Sequence, residues 1–211
     1  MDLIVVGTGG LAREFFKFFS NSVNIIGFSS KSQSEFEEFN LKGEFYGNDI
    51  TPQIVKTKYC VIAVGNPNVK KVLSKKLKAN GFVFPNFIHS SSILGSEIKS
   101  TNEGIIISPN CIVGPDVTFG NHIYINFMVG IGHDTILGNY IQVNPGSQIG
   151  GASIIEDGVL IGSGSILRQK LKIKKNAIVG SGSVVLSSVQ EGITIIGNPA
   201  RRLKLSNVFK K

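Results

Sequence analysis

A histidine followed directly by an aspartate, His133 and Asp134, is the pair of side chains in this sequence best suited to moving a proton. A neutral imidazole, whose unperturbed pKa is about 6.5, can accept a proton from an attacking amine or hydroxyl. A carboxylate beside it can fix the imidazole tautomer and stabilise the imidazolium. The spacing alone leaves two interpretations open, a general base and a His-Asp pair in a surface turn.

The other histidines and the two cysteines carry weaker signals. His89 and His122 lack this context, and His122, in the stretch FGNHIY, is expected to be a solvated corner residue, with a substrate role as the alternative. Cys60 and Cys111 lie in apolar stretches without the spacing of a metal site. The sequence therefore predicts two small core cysteines in a reducing compartment, and no bound metal.

A glycine-rich turn, VVGTGGLA, follows the first apolar run of the chain. The N–H groups of a helix that begins at such a turn can bind a phosphate. A dinucleotide enzyme would carry an acidic residue about 20 positions later, at the end of the second strand, where this chain has FSSK. We therefore predict a pocket for one nucleotide rather than for NAD, with VGNPN forming its opposite wall. The candidate substrate-binding residues here are Gly7, Gly9, Gly10, Leu11, Ser30, Gly65 and Asn66.

The elements that must position this turn are alternating strands and helices. The strand-like runs are LIVVG, NIIGF and YCVIAVG, and the helix-like stretches are LAREFFKFFSN and NVKKVLSKKLKANG. Such alternation is typical of parallel strands that are joined by crossover helices. The sequence therefore predicts a small Rossmann-like α/β domain over residues 1–84.

A six-residue repeat replaces this pattern beyond Ser100. Such a period is typical of a parallel β-helix, in which each hexad supplies one short strand and one corner of a triangular coil. We therefore predict a β-helix over residues 85–195, with inward apolar residues at every sixth position, and a C-terminal tail over residues 196–211. The periodic apolar residues are Ile107, Val113, Phe119, Ile125, Ile131, Leu137, Val143, Ile149, Ile155, Ile161, Leu167, Ile173, Val179 and Val185.

Two other positions of the hexad carry expectations of their own. Four places after the apolar residue, small or β-branched residues recur, among them Thr135, Ser147, Ser153, Ser165 and Ser183. Directly after the apolar residue, glycine or asparagine is frequent, and we expect tight corners to give these residues positive φ. They are Gly114, Gly120, Asn126, Gly132, Gly138, Asn144, Gly150, Gly162 and Gly180.

The repeat also predicts which side chains face outward. His133 stands two residues after the inward Ile131 and should therefore lie at an outer position near a corner. In the run RQKLKIKK, residues 168–175, Leu171 and Ile173 should point inward and the charges outward, which indicates a solvated face.

Composition limits the classes of function. The chain has 211 residues, 42% of them apolar, and a formal net charge of +8. The lysines are widely spread, without an aromatic-basic RNA motif or zinc spacing, so a small polyanion is a better candidate than nucleic acid. No apolar stretch is long enough to span a membrane, and the start of the chain does not resemble a signal peptide. We expect a cytoplasmic protein.

Together, several stretches of the chain resemble the NeuD/PglD family of hexapeptide-repeat sugar acetyltransferases. They are the hexad repeat, the GHD within IGHDTILGNYIQVNPG, the ending IIGNPARRLK and the opening VVGTGGLARE. The resemblance implies a left-handed β-helix and a homotrimer, with acetyl-CoA lying between neighbouring prisms. It also implies transfer of the acetyl group to the amino group of a nucleotide-linked sugar, in the synthesis of bacterial surface glycan or polysaccharide.

The resemblance assigns roles to single residues. It implies that His133 is the general base of a direct attack, supported by Asp134, and that the Gly151 N–H stabilises the oxyanion. It places Asn126 near the acceptor sugar, although asparagine is also a normal left-handed corner residue. Arg201 and Arg202 suit the phosphates of CoA, and a solvated basic tail is the alternative. The CoA-binding candidates are Gly151, Gly162, Gly180, Pro199, Arg201 and Arg202.

Three departures from the family pattern affect its substrate. Many members carry histidine where Leu11 stands, an acidic residue near Ser30, and a second histidine where Gln142 stands. The first two changes fall in the predicted nucleotide pocket. These two changes argue against assigning a particular UDP-sugar, and the third lies near the acceptor or CoA without removing the proposed base. Apart from these departures, two alternatives stay open, a sugar O-acetyltransferase acting on a substrate such as sialic acid, and a non-catalytic trimeric scaffold that binds nucleotides.

Overall fold

The N-terminal part of the chain is a four-stranded parallel sheet with helices on both faces. A computed structural model describes residues 1–203. The sheet has the strand order β3-β2-β1-β4, and every pair in it is parallel. The elements are β1 (Asp2–Val6), α1 (Gly10–Phe19), β2 (Asn24–Ser29), α2 (Gln33–Glu38), β3 (Glu44–Phe45), α3 (Pro52–Val55), β4 (Cys60–Ile62) and α4 (Pro67–Ala79).

This sheet forms because its central strand is apolar on both faces. Leu3 and Val5 pack with the phenylalanine face of α1, whereas Ile4 lies in a second core on the opposite face that includes Leu77 of α4. A fully buried Phe15 in α1 contributes roughly 1.5–3 kcal/mol relative to an exposed side chain. The predicted Rossmann-like α/β fold is therefore confirmed.

The rest of the chain winds into a three-sided coil of very short strands. Eighteen strands follow α4, and they are β5 (Phe87–Ile88), β6 (Ile93–Leu94), β7 (Ile106–Ile107), β8 (Ile112–Val113), β9 (Thr118–Phe119), β10 (Tyr124–Ile125), β11 (Gly130–Ile131), β12 (Ile136–Leu137), β13 (Gln142–Val143), β14 (Gln148–Ile149), β15 (Ile154–Ile155), β16 (Leu160–Ile161), β17 (Ile166–Leu167), β18 (Lys172–Ile173), β19 (Ile178–Val179), β20 (Val184–Val185), β21 (Thr194–Ile196) and β22 (Arg201–Arg202). Only the last pair, β21 and β22, is antiparallel among the strands of residues 1–203.

Three sheets enclose the coil. We call them the first coil sheet (β5, β7, β10, β13, β16, β19, β21, β22), the second coil sheet (β6, β8, β11, β14, β17, β20) and the third coil sheet (β9, β12, β15, β18). All fourteen periodic apolar residues are buried and form one continuous core. The chain therefore has the predicted left-handed parallel β-helix, and the small residues four places later are buried as well.

The corners of the coil correct one prediction. Positive φ occurs three residues after the inward apolar residue, as at Asp116, His122 and Asp134, and not directly after it. The glycines that directly follow the apolar residue are needed for space instead. A Cβ on Gly114 would lie 2.7 Å from the backbone N of His133 in the next coil, and one on Gly150 would meet the backbone of Gln169. Successive coils therefore approach too closely for a side chain at this position.

The α/β unit docks on the outer side of the first coil sheet. Phe15 of α1 packs edge-on against Phe87, with ring centroids 4.9 Å apart, and both belong to a core that contains Tyr124. The outward side chains of β7, β10 and β13 are consequently buried, whereas those of the second coil sheet, such as Ile112, are exposed. The docking fixes the glycine-rich turn relative to the coil.

His122 differs from its prediction, because this docking buries it. Its side chain is 4% exposed and stacks on Tyr140 with ring centroids 5.2 Å apart, while the edge of Phe84 packs nearby. Burial lowers the pKa of His122 to about 4. A solvated corner was therefore the wrong expectation, since the hexad pattern contained no sign that α4 would cover this corner.

Other expectations concern the surface and the ends of the chain. Leu171 and Ile173 point inward and the neighbouring lysines outward, as predicted. Cys60 and Cys111 are free and fully buried. No helix within residues 1–203 has the length and apolar character to cross a membrane. Residues 204–211 of the predicted tail lie outside the described residues.

Candidate active site

His133 and Asp134 lie on the corner that joins the second coil sheet to the third, between β11 and β12. Asp134 has φ of 56°, the left-handed conformation that recurs at this place in the coils. Its backbone N–H donates to the Pro115 carbonyl at 3.0 Å, and the His133 carbonyl accepts from the Ala152 N–H at 2.7 Å. The corner is thus held by the coils before and after it.

The two side chains form a short hydrogen bond. The His133 Nδ1 lies 2.6 Å from the Asp134 Oδ2, and both side chains are more than half exposed, at 58% and 59%. Because a carboxylate only accepts hydrogen bonds, Nδ1 carries the proton and donates it to Asp134. In the neutral imidazole the lone pair is then on Nε2, which is the atom that can take a proton from a substrate.

Gly151 lies directly against this imidazole from the next coil. A Cβ on Gly151 would be 2.7 Å from Nε2 and 2.9 Å from both Cδ2 and Cε1 of His133. Its backbone φ is not in the left-handed region, so the glycine serves here to leave room for the imidazole, which a Cβ would displace. The absent side chain lets the ring rest over the Gly151 backbone, with Nε2 at the contact.

The N–H group of Gly151 is available to a ligand. Among residues 1–203 no hydrogen bond from this N–H is found. The equivalent corner position holds Pro109, Pro115 and Pro145 in other coils, and proline has no N–H. Because the coil does not need this donor, the Gly151 N–H can serve a negative oxygen next to the imidazole.

The other predicted coil residues lie on a different corner. Asn126, Gly162 and Gly180 follow strands of the first coil sheet, whereas Gly151 follows a strand of the second. One chain therefore does not bring these three residues together with His133. The side chain of Asn126 is also 6% exposed and engaged, since its Nδ2 donates to Glu14 at 3.3 Å and its Oδ1 accepts from the Phe127 N–H at 2.7 Å.

The end of the coil presents the predicted basic pair. β22 folds back on β21, with Ile195 paired to Arg202 and Ile196 to Arg201. Both arginines are exposed and line a cavity of about 690 Å³ together with Val185 and Gln190. Pro199 lies in the turn between the two strands. The guanidinium groups are thus open to an anionic ligand.

The predicted nucleotide residues converge, with one exception, on a second cavity. This cavity of about 290 Å³ is lined by Gly7, Gly9, Gly10, Leu11, Ser30 and Gly65. Asn66 does not line it and caps α4, where its Oδ1 accepts from the Asn68 and Val69 N–H groups at 2.9 and 3.2 Å.

The glycines of the turn differ in what they do. Gly7 has φ of +121°, and a Cβ there would lie 2.7 Å from the Ala63 carbonyl oxygen, so the turn needs glycine. A Cβ on Gly9 or Gly10 would meet nothing within 4 Å, so the backbone at the start of α1 borders open space. A phosphate can approach the N–H groups there.

Sequence reasoning missed Glu35, an acidic residue of this cavity. It lies in the first turn of α2, and its Oε2 accepts from the Thr8 hydroxyl at 2.7 Å. The available signal was the capping-box spacing SQSE, in which Ser32 caps α2 and Glu35 stands three places later. The dinucleotide pattern predicts an acidic residue only at the end of the second strand, and Glu35 lies beyond it on α2.

Lys70 was also missed, and it is buried between α4 and the coil at 2% exposure. Its Nζ donates to the Gln142 Oε1 at 3.4 Å, and the Gln142 Nε2 donates to the Asn144 Oδ1 at 2.9 Å. Burial lowers the pKa of Lys70 to about 7. Gln142 also approaches the nucleotide cavity, since its Cδ lies 4.0 Å from the position of a Cβ on Gly65.

No protein-family model matches the sequence. Within residues 1–203, no cluster of three or more His, Cys, Asp or Glu side chains could hold a metal ion. Several solved structures are nevertheless similar over almost the whole chain. WeeI from Acinetobacter baumannii AYE has a TM-score of 0.77 at 24% identity, and the match covers 96% of this chain and 100% of that one.

Two other similar solved structures are an acetyltransferase domain and a complex with CoA. The acetyltransferase domain of PglB from Neisseria gonorrhoeae FA1090 has a TM-score of 0.82 at 20% identity, over 96% of this chain and 99% of that one. PerB from Caulobacter crescentus, solved in complex with CoA and GDP-perosamine, has a TM-score of 0.54 at 18% identity, over 97% and 98%. At these identities the likeness shows a shared fold.

Proposed function

We propose that this chain is an acetyl-CoA-dependent acetyltransferase that acts on the amino group of a nucleotide-linked sugar, in the synthesis of bacterial surface glycan or polysaccharide. The observation that carries the proposal is the exposed imidazole of His133, whose Nε2 lies against the backbone of Gly151, a residue whose N–H donates no hydrogen bond within residues 1–203. Its support is the fold shared with the PglB acetyltransferase domain and with PerB, which was solved with CoA and a nucleotide sugar.

The first step is a direct attack of the sugar amine on the thioester carbonyl of acetyl-CoA. As the new C–N bond forms, the Nε2 of His133 accepts a proton from the amine. The Asp134 carboxylate, 2.6 Å from Nδ1, holds the required tautomer and stabilises the imidazolium that results. General-base assistance of this kind is typically worth about 10²–10⁴ in rate.

The carbonyl oxygen gains negative charge in this step, and the Gly151 N–H donates a hydrogen bond to it. One such donor can be worth about 3 kcal/mol in the transition state. The tetrahedral intermediate then collapses, the C–S bond breaks, and the imidazolium returns its proton to the departing CoA thiolate. The products are the N-acetylated sugar and free CoA, without a covalent acyl-enzyme.

The separation of the corners supports a site built between subunits. His133 and Gly151 lie on one corner of the prism, and the nucleotide cavity lies at the docking side of the first coil sheet. We propose a homotrimer in which His133 of one protomer faces the acceptor sugar held by its neighbour. Exposed apolar side chains on the second and third coil sheets, such as Ile112 and Ile136, suit burial between prisms.

Acetyl-CoA would lie along the groove between two prisms. Gly162 and Gly180 do not open space for its pantetheine arm, because a Cβ on either would meet the neighbouring backbone or side chains of the coil. Arg201 and Arg202 bind its phosphates at the end of the coil. Bidentate guanidinium contacts fit this role because phosphate groups offer paired oxygens.

The proposal is tested by incubating the protein and acetyl-CoA with a panel of nucleotide-linked 4-amino sugars and free sialic acids. Thiol release and product masses are measured together. We expect one CoA for each N-acetylated nucleotide sugar. Acetylation of a hydroxyl would replace this proposal with the O-acetyltransferase alternative, and no CoA release with any acceptor would replace it with the scaffold alternative.

A further inference from the structure

A chain of hydroxyl groups at the rim of the nucleotide cavity ends at Glu35. The Ser32 N–H donates to the Ser30 Oγ at 3.2 Å, the Ser30 and Thr8 hydroxyl oxygens are 3.0 Å apart, and the Thr8 Oγ1 is 2.7 Å from the Glu35 Oε2. Three elements meet here, since Thr8 follows β1, Ser30 follows β2 and Glu35 belongs to α2.

The direction of this chain follows from what each group can donate. A carboxylate only accepts, and the single proton of Thr8 must therefore point at Glu35 over the shorter of its two contacts. Ser30 then donates its own proton to Thr8, while its oxygen accepts from the Ser32 N–H. Every donor thus points toward Glu35, and Thr8, at 1% exposure, is a rigid support for it.

The second oxygen of Glu35 differs from the first in its hydrogen bonding. Within residues 1–203 no hydrogen bond to the Glu35 Oε1 is found, although the residue lines the cavity beside the glycine turn. This arrangement gives the cavity a fixed acceptor at the edge formed by α2. Gly9 and Gly10 also line this cavity, and they present backbone N–H groups at the start of α1.

We infer that Glu35 binds the ribose hydroxyls of the nucleotide and sets the direction in which the nucleotide sugar lies. This inference rests on the proposed nucleotide-sugar site. A carboxylate attracts hydroxyl donors and repels phosphate oxygens, whereas the start of α1 attracts phosphate. The nucleoside therefore lies toward α2 and the diphosphate toward Gly9 and Gly10. The sugar is then directed to Leu11 and Gly65, and a Cβ on Gly65 would lie 4.0 Å from the Cδ of Gln142 in the coil.

The same arrangement explains why the cavity needs no acidic residue at the end of β2. That position holds Ser30, which is uncharged and whose hydroxyl donates a hydrogen bond to Thr8 rather than to the nucleotide. The carboxylate comes from the following helix and is held in place by the threonine of the glycine turn. The specificity that follows is for ribonucleotides over deoxyribonucleotides.

The test measures binding of nucleoside diphosphates to the full chain by calorimetry, without acetyl-CoA. UDP, GDP, CDP and ADP are compared first, and the tightest is then compared with its 2′-deoxy and 3′-deoxy forms. We expect wild type to bind the ribonucleotide at least about tenfold more tightly than a deoxy form. Glu35→Gln should lose about tenfold for the ribonucleotide and bind both forms within about twofold of each other.

A matched control is Glu37→Gln, two residues along the same helix. Glu37 is exposed, and its Oε1 accepts from Gln33 within α2. This variant should bind like wild type. The inference is overturned if Glu35→Gln keeps the full preference for ribose, if Glu37→Gln loses it equally, or if none of the four diphosphates binds at millimolar concentration.

Failure here is distinguishable from failure of the proposed function. Ribose-dependent binding that requires Glu35, without acetyl transfer to any acceptor, would preserve the inference and remove the acetyltransferase. Acetyl transfer by a Glu35→Gln variant with unchanged ribose preference would preserve the enzyme and overturn the inference.

Discussion

At the scale of the residue, the candidate site depends on three residues, His133, Asp134 and Gly151, which two successive coils bring together. The pairing of His133 with Asp134 could be anticipated because the two residues are adjacent in the sequence. Their contact with Gly151 could be anticipated only by resemblance and by the 18-residue period, since it requires knowing which corners stack. That contact supports the proposed chemistry, because it places Nε2 against the backbone of Gly151, whose N–H donates no hydrogen bond within residues 1–203.

Replacing His133 with alanine removes the proposed base and should lower kcat by at least about 100-fold. The coil should remain intact because the side chain is exposed and does not belong to the core. The rate of thiol release at saturating acetyl-CoA and acceptor measures this effect. His89→Ala, a histidine away from this corner, is the control, and near-normal turnover of the His133 variant would exclude it from the mechanism.

Replacing Asp134 with asparagine tests the tautomer. Asparagine also tolerates the left-handed backbone found here, at φ of 56°, so the corner should keep its shape. The amide can donate to Nδ1, which favours the tautomer with the proton on Nε2, where it blocks base catalysis. We expect kcat to fall by at least about tenfold with little change in KM for acetyl-CoA. A variant with wild-type kcat would show that Asp134 only forms a surface hydrogen bond with His133 and does not support catalysis.

At the scale of the element, the period of the repeat predicted the inward residues but not the geometry of the corners. A hexad pattern identifies apolar side chains that must be buried, and the core contains all fourteen of them. Glycine has two uses, positive φ and close approach, and a sequence does not distinguish them. In this coil the left-handed position holds Asp134 or Lys170 as readily as glycine, whereas close approach requires glycine at Gly114 and Gly150.

The difference between close approach and positive φ predicts a large effect on stability for one substitution and a small effect for another nearby. Gly150→Ala places a Cβ against the backbone of Gln169 and should destabilise the coil by about 1–3 kcal/mol. Lys170→Gly relieves a residue with φ of 61° and should change stability by less than about 1 kcal/mol. Guanidinium unfolding followed by circular dichroism measures both. If the second variant is the more destabilised, the assignment of corner positions is wrong.

At the scale of the whole molecule, the docking of the α/β unit on the coil is the feature that the sequence concealed most. Lys70 and His122 look like surface residues in their own segments, and both are buried only because α4 lies against the first coil sheet. Neither the apolar pattern of the α/β unit nor the six-residue repeat of the coil indicates that the two units contact each other. The docking also brings Gln142 of the first coil sheet close to Gly65, which lines the nucleotide cavity.

The buried lysine makes stability depend on pH. Its folded pKa is about 7, against an unfolded value of about 10.4, so between these values the unfolded chain binds a proton that the folded chain does not. The contribution of Lys70 to stability is therefore greatest above the unfolded pKa and is lost progressively as pH falls from about 10.4 to the folded pKa of about 7. From pH 7 to 8.5 the free energy of unfolding should rise by up to about 1.4 kcal/mol per pH unit more than in Lys70→Met.

The control for this measurement is Lys71→Met, which removes the adjacent exposed lysine. Lys70 contributes to the lowered pKa of His122, but burial is the larger cause, and at about 4 this pKa lies well below the range from pH 7 to 8.5. Equal pH slopes for wild type and Lys70→Met in guanidinium unfolding would show that Lys70 stays protonated in the folded protein.

If the site is shared between subunits, two inactive variants can restore activity when they assemble together. A site within a single chain does not allow this. His133→Ala lacks the base. Gly9→Glu should fold, because Gly9 has an ordinary φ of −74° and open space beside it, but its added carboxylate should repel the phosphates of the nucleotide.

Each variant alone should be inactive. When the two are unfolded together and refolded in equal amounts, a site that takes His133 from one protomer and the nucleotide cavity from its neighbour is intact in about one quarter of cases. Thiol release should therefore recover to about one quarter of the wild-type rate, and mixing without unfolding is the control. If the site were contained in one chain, every site would carry one defect, and co-refolding would restore nothing.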